Sequence, residues 1–367
     1  MKLRYKIASS ILIFFMAAIS LLALVLSYDA DCEPASGVSG EATTMKAIVY
    51  RCYGSADVVE YIDVEKPIPG DDELLVKIRA AAVNPYDWHY MRGSPYLMRL
   101  GAGIGKPTDP RLGVDFAGTV EAVGSKVTKF KPGDAVFGGA TGAFAEYVTI
   151  GEDRAVTLKP PDVTFEQATS VGIAAITALQ ALRDKGQLQS GQKVLINGAS
   201  GGVGTFAVQI AKSLGADVTG VCSTRNVEMV RSLGADHVFD YKKENYTESG
   251  QQYDLIVDMV GNHSLSANRK MLTPNGRLVM VGGSKGDWIA PLKNPLKALF
   301  LSPFVEQELI TLLARLTQDD LATLGELMQD GKVTAIIDRH YPLRDAAAAI
   351  RYSEEGRARG KIIIDID

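Results

Sequence analysis

The chain has 367 residues, of which 46% are apolar and 22% are charged. This balance is that of a folded globular protein, and the length allows two domains with a core that needs neither disulfides nor a structural metal. The formal net charge of −4 excludes a generally basic surface, and no nucleic acid partner is expected.

The N-terminal residues 1–30 have the pattern of a membrane anchor. Three basic residues precede an apolar run from Ile7 to Leu26, and the next charge is Asp29. About 20 apolar residues in a helix cross a hydrocarbon core that is about 30 Å thick. We therefore expect a single N-terminal anchor, with the side of the membrane left open. A cleavable signal peptide ending at the poor site Val25-Leu26-Ser27 is the alternative.

The next part of the chain changes from a tether to short strands. Residues 31–44 are predicted to be a linker, and folded structure is predicted to begin near Met45. Short alternating segments such as 45–50 and 73–79, separated by Gly and Pro, predict a compact β-rich domain. Cys52 and Cys222 are interpreted as small apolar core residues, because the three cysteines of the chain form no C-x-x-C pair.

From about Ser190, apolar strands alternate with helices, which is typical of a parallel, doubly wound sheet. The strand 193–196 leads directly into a Gly-rich turn and then into a helix. Backbone N–H groups in such a turn, together with the helix N-terminus, bind a pyrophosphate. The G-x-G-x-x-G places are occupied here by Ala199, Gly201 and Gly204, so the first glycine is an alanine. The turn predicts a dinucleotide site formed by Ala199, Ser200, Gly201, Gly202, Val203 and Gly204.

The end of the second strand, 217–222, favours one nicotinamide cofactor over the other. NAD-binding enzymes place a carboxylate there for the ribose 2′-OH. This chain instead has Ser223 and Arg225, with no acidic residue before Glu228. A hydroxyl and a guanidinium bind a 2′-phosphate that a carboxylate would repel, so NADPH is predicted.

The same pattern continues after the strand 217–222. It predicts a helix from Asn226 to Leu233, a third strand at 234–239, a fourth at 253–258 and a fifth at 276–283. The fifth strand ends in glycines, among them Gly282, at the sheet edge where cofactors lie.

Several motifs in this order resemble the medium-chain dehydrogenase/reductase superfamily, and they extend from Met45 to the C-terminus. The motifs are Val83-Asn84-Pro85-Tyr86-Asp87, Gly113-Val114-Asp115-Phe116-Ala117-Gly118, Lys131-Pro132-Gly133-Asp134-Ala135-Val136, Gly142-Ala143-Phe144-Ala145-Glu146-Tyr147, the turn from Ala199 to Gly204, and Arg359-Gly360-Lys361-Ile362-Ile363. The resemblance implies an α/β protein with two domains and a cleft between them. A GroES-like β-rich catalytic domain would span 45–159, a Rossmann domain 160–317, and residues 318–367 would return to the catalytic domain. Members of the family are often homodimers.

The chain differs from the zinc enzymes of this family at two positions that hold metal ligands in those enzymes. Those enzymes carry a cysteine ligand where this chain has Asn84 and a histidine ligand where it has Val114. Zinc needs about three converging ligands, so no metal is expected. The zinc-free relatives that the chain resembles are quinone reductases and enone or enal reductases.

The resemblance also implies roles for individual residues. Asn84 and Tyr86 take the places of the zinc ligand and the proton-relay hydroxyl, and are the predicted catalytic residues, as donors to a developing oxyanion. The alternative for Asn84 is an ordinary loop turn. Asp87 and Asp115 are interpreted as structural. The resemblance adds these cofactor residues: Thr177 near the nicotinamide, Tyr241 beside the 2′-phosphate, and Gly360 and Lys361 in the returning tail.

These observations predict an NADPH-dependent reductase of quinones or α,β-unsaturated carbonyls. A conjugated acceptor spreads its negative charge onto an oxygen that hydrogen-bond donors can stabilise, whereas a simple ketone favours a Lewis acid. Two alternatives stay open. One is an NADPH-dependent reductase of other carbonyls, and the other is a membrane-tethered NADPH-binding sensor or scaffold protein with little turnover.

Overall fold

The computed structural model describes residues 2–33, 43–283, 286–288 and 290–367, with side chains from residue 13 onward. Its α-helices are α1 (Lys2–Ser27), α2 (Pro85–Arg92), α3 (Arg99–Ala102), α4 (Phe165–Thr169), α5 (Gly172–Leu179), α6 (Gly202–Ser213), α7 (Val227–Ser232), α8 (Leu265–Lys270), α9 (Lys293–Leu301), α10 (Gln318–Gln329) and α11 (Ala346–Glu354). Its strands are β1 (Thr44–Tyr50), β2 (Val59–Glu65), β3 (Glu73–Val83), β4 (Asp115–Val123), β5 (Ala135–Gly139), β6 (Tyr147–Gly151), β7 (Val156–Leu158), β8 (Lys193–Asn197), β9 (Asp217–Cys222), β10 (His237–Asp240), β11 (Tyr253–Asp258), β12 (Leu272–Met280), β13 (Glu308–Thr311), β14 (Ile337–Pro342) and β15 (Lys361–Asp365).

The second half of the chain forms a six-stranded parallel sheet in the order β10-β9-β8-β11-β12-β13. The strand order reverses between β8 and β11, and ligands of such sheets bind beyond the carboxyl ends of the strands at this point. Strands β9 and β11 lie at the residues predicted. The third strand begins at His237 rather than at Gly234, because Gly234 adopts a φ of +105° in the turn that leaves α7. The short edge strand β13 was not predicted.

The first half forms a seven-stranded sheet in the order β14-β15-β3-β4-β5-β7, and β6 also pairs with β3. The C-terminal strand β15 lies antiparallel to β3, with Ile362 opposite Val83. On its other side, β3 pairs with β4 so that Ala82 lies opposite Asp115. The last strand of the chain is thus built into the sheet of the first half. The predicted domain limits 45–159, 160–317 and 318–367 stay predictions.

The predicted membrane anchor is wrong. A helix does form over Lys2–Ser27. However, within the part of the chain that the structure describes, no helix has both the length and the apolar character needed to cross a membrane.

The side chain of Arg99 holds the segment that follows α1 against the β-rich half of the protein. This side chain is only 1% exposed. Its guanidinium donates to the carbonyls of Leu26 and Tyr28, each at 2.9 Å, and pairs with Asp29 at 2.8 Å. Its carbon also lies 4.4 Å from the centre of the Tyr53 ring. Arg99 therefore holds residues 26–29 against the body, while residues 34–42 of the predicted linker 31–44 lie outside the described residues.

A disulfide joins this segment to the β-rich domain. Cys32 is bonded to Cys52, and their Cα atoms are 4.9 Å apart. The interpretation of Cys52 as a reduced core residue is therefore wrong, whereas Cys222 is a free and buried thiol. Burial raises the pKa of the Cys222 thiol to about 11, so it stays protonated at neutral pH.

Loss of the disulfide should destabilise the fold measurably. The bond closes a loop with a sequence separation of 20 residues. Closing a loop of this size stabilises a fold by about 3 kcal/mol in the chain-entropy description. We expect Cys32→Ser to lower the free energy of unfolding by this order in urea titrations, and a reductant to do the same to the wild type. A reductant should have no further effect on Cys32→Ser, and an unchanged wild type under reductant would contradict the bond.

Candidate functional site

A cleft of about 580 Å³ lies between the two sheets, beyond the carboxyl ends of β8 and β9. Its volume is in the range of ligand pockets, which is about 300–1,000 Å³. Of the predicted site residues, those that line it are Asn84, Ser200, Gly201, Gly202, Val203, Gly204, Tyr241, Gly360 and Lys361. The predicted residues outside this lining are Tyr86, Thr177, Ala199, Ser223, Arg225 and Gly282. Lining residues that the sequence did not indicate include Asn197, Cys222, Met259, Val260 and Asn262.

The Gly-rich turn has the shape that a pyrophosphate requires. Gly198 has a φ of +93°, which turns the chain sharply after β8. A Cβ on Gly204 would lie 2.1 Å from the carbonyl oxygen of Gly198, so only glycine allows helix and turn to pack this closely. Helix α6 begins at Gly202, and its first three residues line the cleft, where a helix N-terminus offers N–H groups without a partner in the helix. These residues fit the diphosphate of a dinucleotide. Ala199 lies fully buried beneath the turn.

Asn226 connects two predicted cofactor residues and was missed from the sequence. Its side-chain amide donates to the hydroxyls of Ser200, at 2.9 Å, and Ser223, at 3.3 Å. Asn226 is 4% exposed and therefore fixes both hydroxyls from below. The only sequence signal was its place directly after Arg225, where it was counted as the start of a helix.

The end of β9 carries the residues predicted for a 2′-phosphate. Arg225 and Tyr241 are both exposed, and the Arg225 guanidinium donates to the carbonyl of Arg357 in the C-terminal region. The neighbouring carboxylate of Asp240 is occupied, because it accepts from the Thr224 hydroxyl at 2.6 Å. Arg225 is thus an exposed cation near the cleft, and it pairs with no carboxylate among the residues that the structure describes.

Three other predicted residues have different surroundings from those expected. The Thr177 hydroxyl donates to the carbonyl of Ile173 within its own helix, at 2.7 Å. The Tyr86 ring stacks on Tyr90 with centroids 4.1 Å apart. Burial, and then a hydrogen bond with Tyr90, raise the pKa of Tyr86, so its hydroxyl stays protonated. Gly282 lines a smaller cavity of about 240 Å³ next to the cleft.

A buried polar cluster forms the wall of the cleft opposite the Gly-rich turn. Asn84, Asp115 and Lys361 stand at the ends of β3, β4 and β15, which are neighbours in the seven-stranded sheet. Lys361 Nζ donates to Asn84 Oδ1 at 2.6 Å, and Asn84 Nδ2 donates to Asp115 Oδ2 at 2.9 Å. Lys361 Nζ also lies 3.5 Å from Asp115 Oδ2. Asn84 Nδ2 donates in addition to the carbonyl of Ala82 at 3.2 Å, so both amide hydrogens are engaged.

Asp87 lies beside this cluster, because its carboxylate accepts from the backbone N–H of Asn84 at 2.7 Å. All four side chains are almost completely removed from water. Exposure is 1% for Asn84, 0% for Asp87 and Asp115, and 2% for Lys361. Burial raises the pKa of Asp87 to about 7, against the hydrogen bond from the Asn84 backbone N–H. Burial also raises the pKa of Asp115, opposed by the charge of Lys361, and lowers the pKa of Lys361. The Asp87 carboxyl therefore takes up its proton at a higher pH than an exposed aspartate does.

Comparisons with known proteins assign the family. A model of the alcohol dehydrogenase GroES-like domain matches residues 70–161, and a model of zinc-binding dehydrogenases matches residues 233–364. A chloroplast envelope quinone oxidoreductase homologue from Arabidopsis thaliana is 34% identical over 340 residues, covering 88% of this chain and 98% of that protein. The chain belongs to the zinc-free, quinone oxidoreductase-like branch of the medium-chain dehydrogenase/reductase superfamily.

Two further relatives agree with this assignment. A trans-enoyl reductase from Aspergillus terreus is 33% identical over 364 residues, covering 89% of this chain and 97% of that protein. The solved structure of the quinone oxidoreductase from Coxiella burnetii superimposes with a TM-score of 0.77 at 28% identity, covering 89% of this chain and all of that one. The protein is therefore an oxidoreductase of this superfamily, whose fold binds a nicotinamide cofactor. Among the described residues, no group of three His, Cys, Asp or Glu side chains could hold a metal ion.

The raised pKa of Asp87 predicts a pH dependence of stability. The folded value of about 7 lies above the ordinary value of 3.8, so the folded protein binds the extra proton between these pH values. Stability rises with pH only where the unfolded state binds more protons than the folded state. Here the folded state binds more protons. The free energy of unfolding should therefore fall as pH rises from about 4 to about 7. Asp87→Asn keeps an acceptor for the Asn84 N–H and should remove this part of the slope in urea titrations. An identical slope in the variant would contradict the assignment.

Proposed function

We propose that this protein is an NADPH-dependent, zinc-independent reductase that transfers hydride to quinones or α,β-unsaturated carbonyls. The observation that carries the proposal is the cleft, which has a pyrophosphate-binding turn on one wall and the buried Asn84 cluster on the other. When bound, the cofactor supplies the hydride. The role of the protein is to orient the acceptor, exclude water and stabilise the oxygen that becomes negative.

The residues of this chain favour a conjugated acceptor. Asn84 and Val114 stand where the zinc enzymes of the family carry a cysteine and a histidine, so these positions offer one amide and no metal-ligating cysteine or histidine. Tyr86 lies outside the cleft lining, but it follows Pro85, which belongs to that lining, at the start of α2. It keeps its proton and is 38% exposed, so its hydroxyl is the proposed donor toward a substrate oxygen. To contact a substrate, the Asn84 amide would give up its longer hydrogen bond, to the carbonyl of Ala82, and donate to the substrate oxygen instead. The names of the relatives, a quinone oxidoreductase and a trans-enoyl reductase, support the same two acceptor classes.

The preference for NADPH is supported by the end of β9. The hydroxyl of Ser223 and the guanidinium of Arg225 follow this strand directly, and Tyr241 follows β10 beside them. Asp240, the carboxylate closest in the chain to Tyr241, is held by Thr224 and by the backbone N–H of Lys242. A doubly charged 2′-phosphate would gain charge-assisted hydrogen bonds here. A homodimer also stays a proposal, and it rests on the family alone.

The proposed reaction is tested by NADPH oxidation with the full-length protein. We expect turnover of 1,4-quinones or enals that a chelator does not affect, and little turnover of saturated ketones. An Asn84→Ala/Tyr86→Phe double variant should lose about 100-fold in kcat, which is the scale of a positioned proton donor. Tight NADPH binding without turnover of any acceptor would contradict the proposal and favour a binding protein.

The cofactor preference is tested by one charge reversal. Arg225→Asp removes a charge-assisted hydrogen bond of about 1.5–3 kcal/mol, so the Kd for NADPH should rise by about 10- to 100-fold while the Kd for NADH changes little. Arg231→Asp is the matched control, because Arg231 is exposed and pairs with Glu228 on α7. Equal losses for the two cofactors would contradict a 2′-phosphate site at Arg225.

A further inference from the structure

Lys361 joins the two walls of the cleft. The N–H of Gly360 donates to the carbonyl of Ser200 at 3.0 Å, which attaches the start of β15 to the Gly-rich turn. The side chain of Lys361 then passes over the start of α6, where a Cβ on Gly202 would lie 3.3 Å from Lys361 Cδ. It ends at Asn84 Oδ1, 2.6 Å from Nζ. One residue thus reaches from the nucleotide-binding turn to the end of β3.

The amide of Asn84 has one acceptable orientation in this setting. Its oxygen faces the ammonium of Lys361, and its nitrogen faces the carboxylate of Asp115. A rotation by 180° would place an NH₂ group against the ammonium and an oxygen against the carboxylate. Water cannot compensate, because all three side chains are at most 2% exposed. The two opposite charges therefore act as a polarity lock on the amide.

We propose that Lys361, opposed by Asp115, is a positioning residue that locks the Asn84 amide in one orientation on the wall of the cleft. The orientation itself is a property of the protein without ligand. Only its kinetic consequence rests on the proposed function, because there Asn84 helps to place the acceptor. Displacement of such a group by about 1 Å can cost about 100-fold in rate.

The test separates the loss of the Asn84 amide orientation from the loss of stability that an unpaired buried charge causes. Lys361→Met leaves Asp115 buried without its cation, so its Tm should fall strongly. Lys361→Met/Asp115→Asn removes both members of the ion pair together, so the Tm should return most of the way to the wild-type value. Two neutral neighbours would nevertheless accept either orientation of the Asn84 amide. The double variant therefore loses the lock while keeping the fold.

The primary readout is hydrogen exchange of the Asn84 side-chain amide in the ligand-free, full-length protein. It is followed by NMR after ¹⁵N-asparagine labelling, with the signal assigned through Asn84→Asp. We expect exchange at least about tenfold faster in the double variant than in the wild type, since a charge-assisted hydrogen bond is lost. We also expect kcat to stay about 10- to 100-fold low although the Tm has recovered.

The matched control is Arg183→Met/Asp320→Asn, which removes an ion pair of 2.6 Å whose members do not line the cleft. It should change neither the exchange of the Asn84 amide nor kcat. Unchanged exchange in Lys361→Met/Asp115→Asn, or a kcat that recovers together with the Tm, would overturn the inference and leave Lys361 as one half of a structural ion pair. If the wild type reduces no acceptor, the proposed function fails, while the exchange comparison still decides the inference.

Discussion

The hydrogen bonds between Lys361, Asn84 and Asp115 connect nearly every part of the cleft. Charges that are removed from water are tolerated only when their partners are placed accurately, so this cluster fixes the relative position of β15, β3 and β4. The second oxygen of Asp115 accepts from the N–H of Ile173 at the start of α5, at 2.9 Å. A side chain on Gly172 would lie 2.1 Å from the same oxygen. The cluster therefore also sets how α5 meets the β-rich sheet.

The two ends of the chain meet the β-rich half in different ways. The C-terminal strand pairs with β3 and carries Lys361 to the cleft, so the site includes residues that are 277 positions apart in the chain. The N-terminal segment is held by Arg99 and by the disulfide between Cys32 and Cys52. Arg99 also donates to the carbonyl of Gly93, just after α2, which is the helix that carries Tyr86. The segment after α1 thus contacts the support of a proposed catalytic residue.

Local features of the fold were predictable because their causes are local. The Gly-rich turn, β9 and β11 follow from short β-branched runs and from glycines at positions where a side chain would clash or would require an unfavourable φ. The membrane anchor was predicted wrongly: the run from Ile7 to Leu26 is rich in apolar residues, yet among the described residues no helix is both long and apolar enough to cross a membrane. The disulfide was missed because the spacing of two cysteines along the chain does not give the distance between them in space. Asn226 was missed because a single asparagine at a helix start has many ordinary roles.

The sequence by itself determined the family and the alternating strands and helices of the second half, because glycine, proline and alternating apolar residues act within a few positions along the chain. Only the tertiary structure decided that Asn84 shares its amide with Lys361 and Asp115 rather than presenting it freely to the cleft. That outcome depends on the order and register of three strands that are distant in sequence. Strand pairing is a long-range contact, and the sequence pattern of one strand does not specify its neighbour.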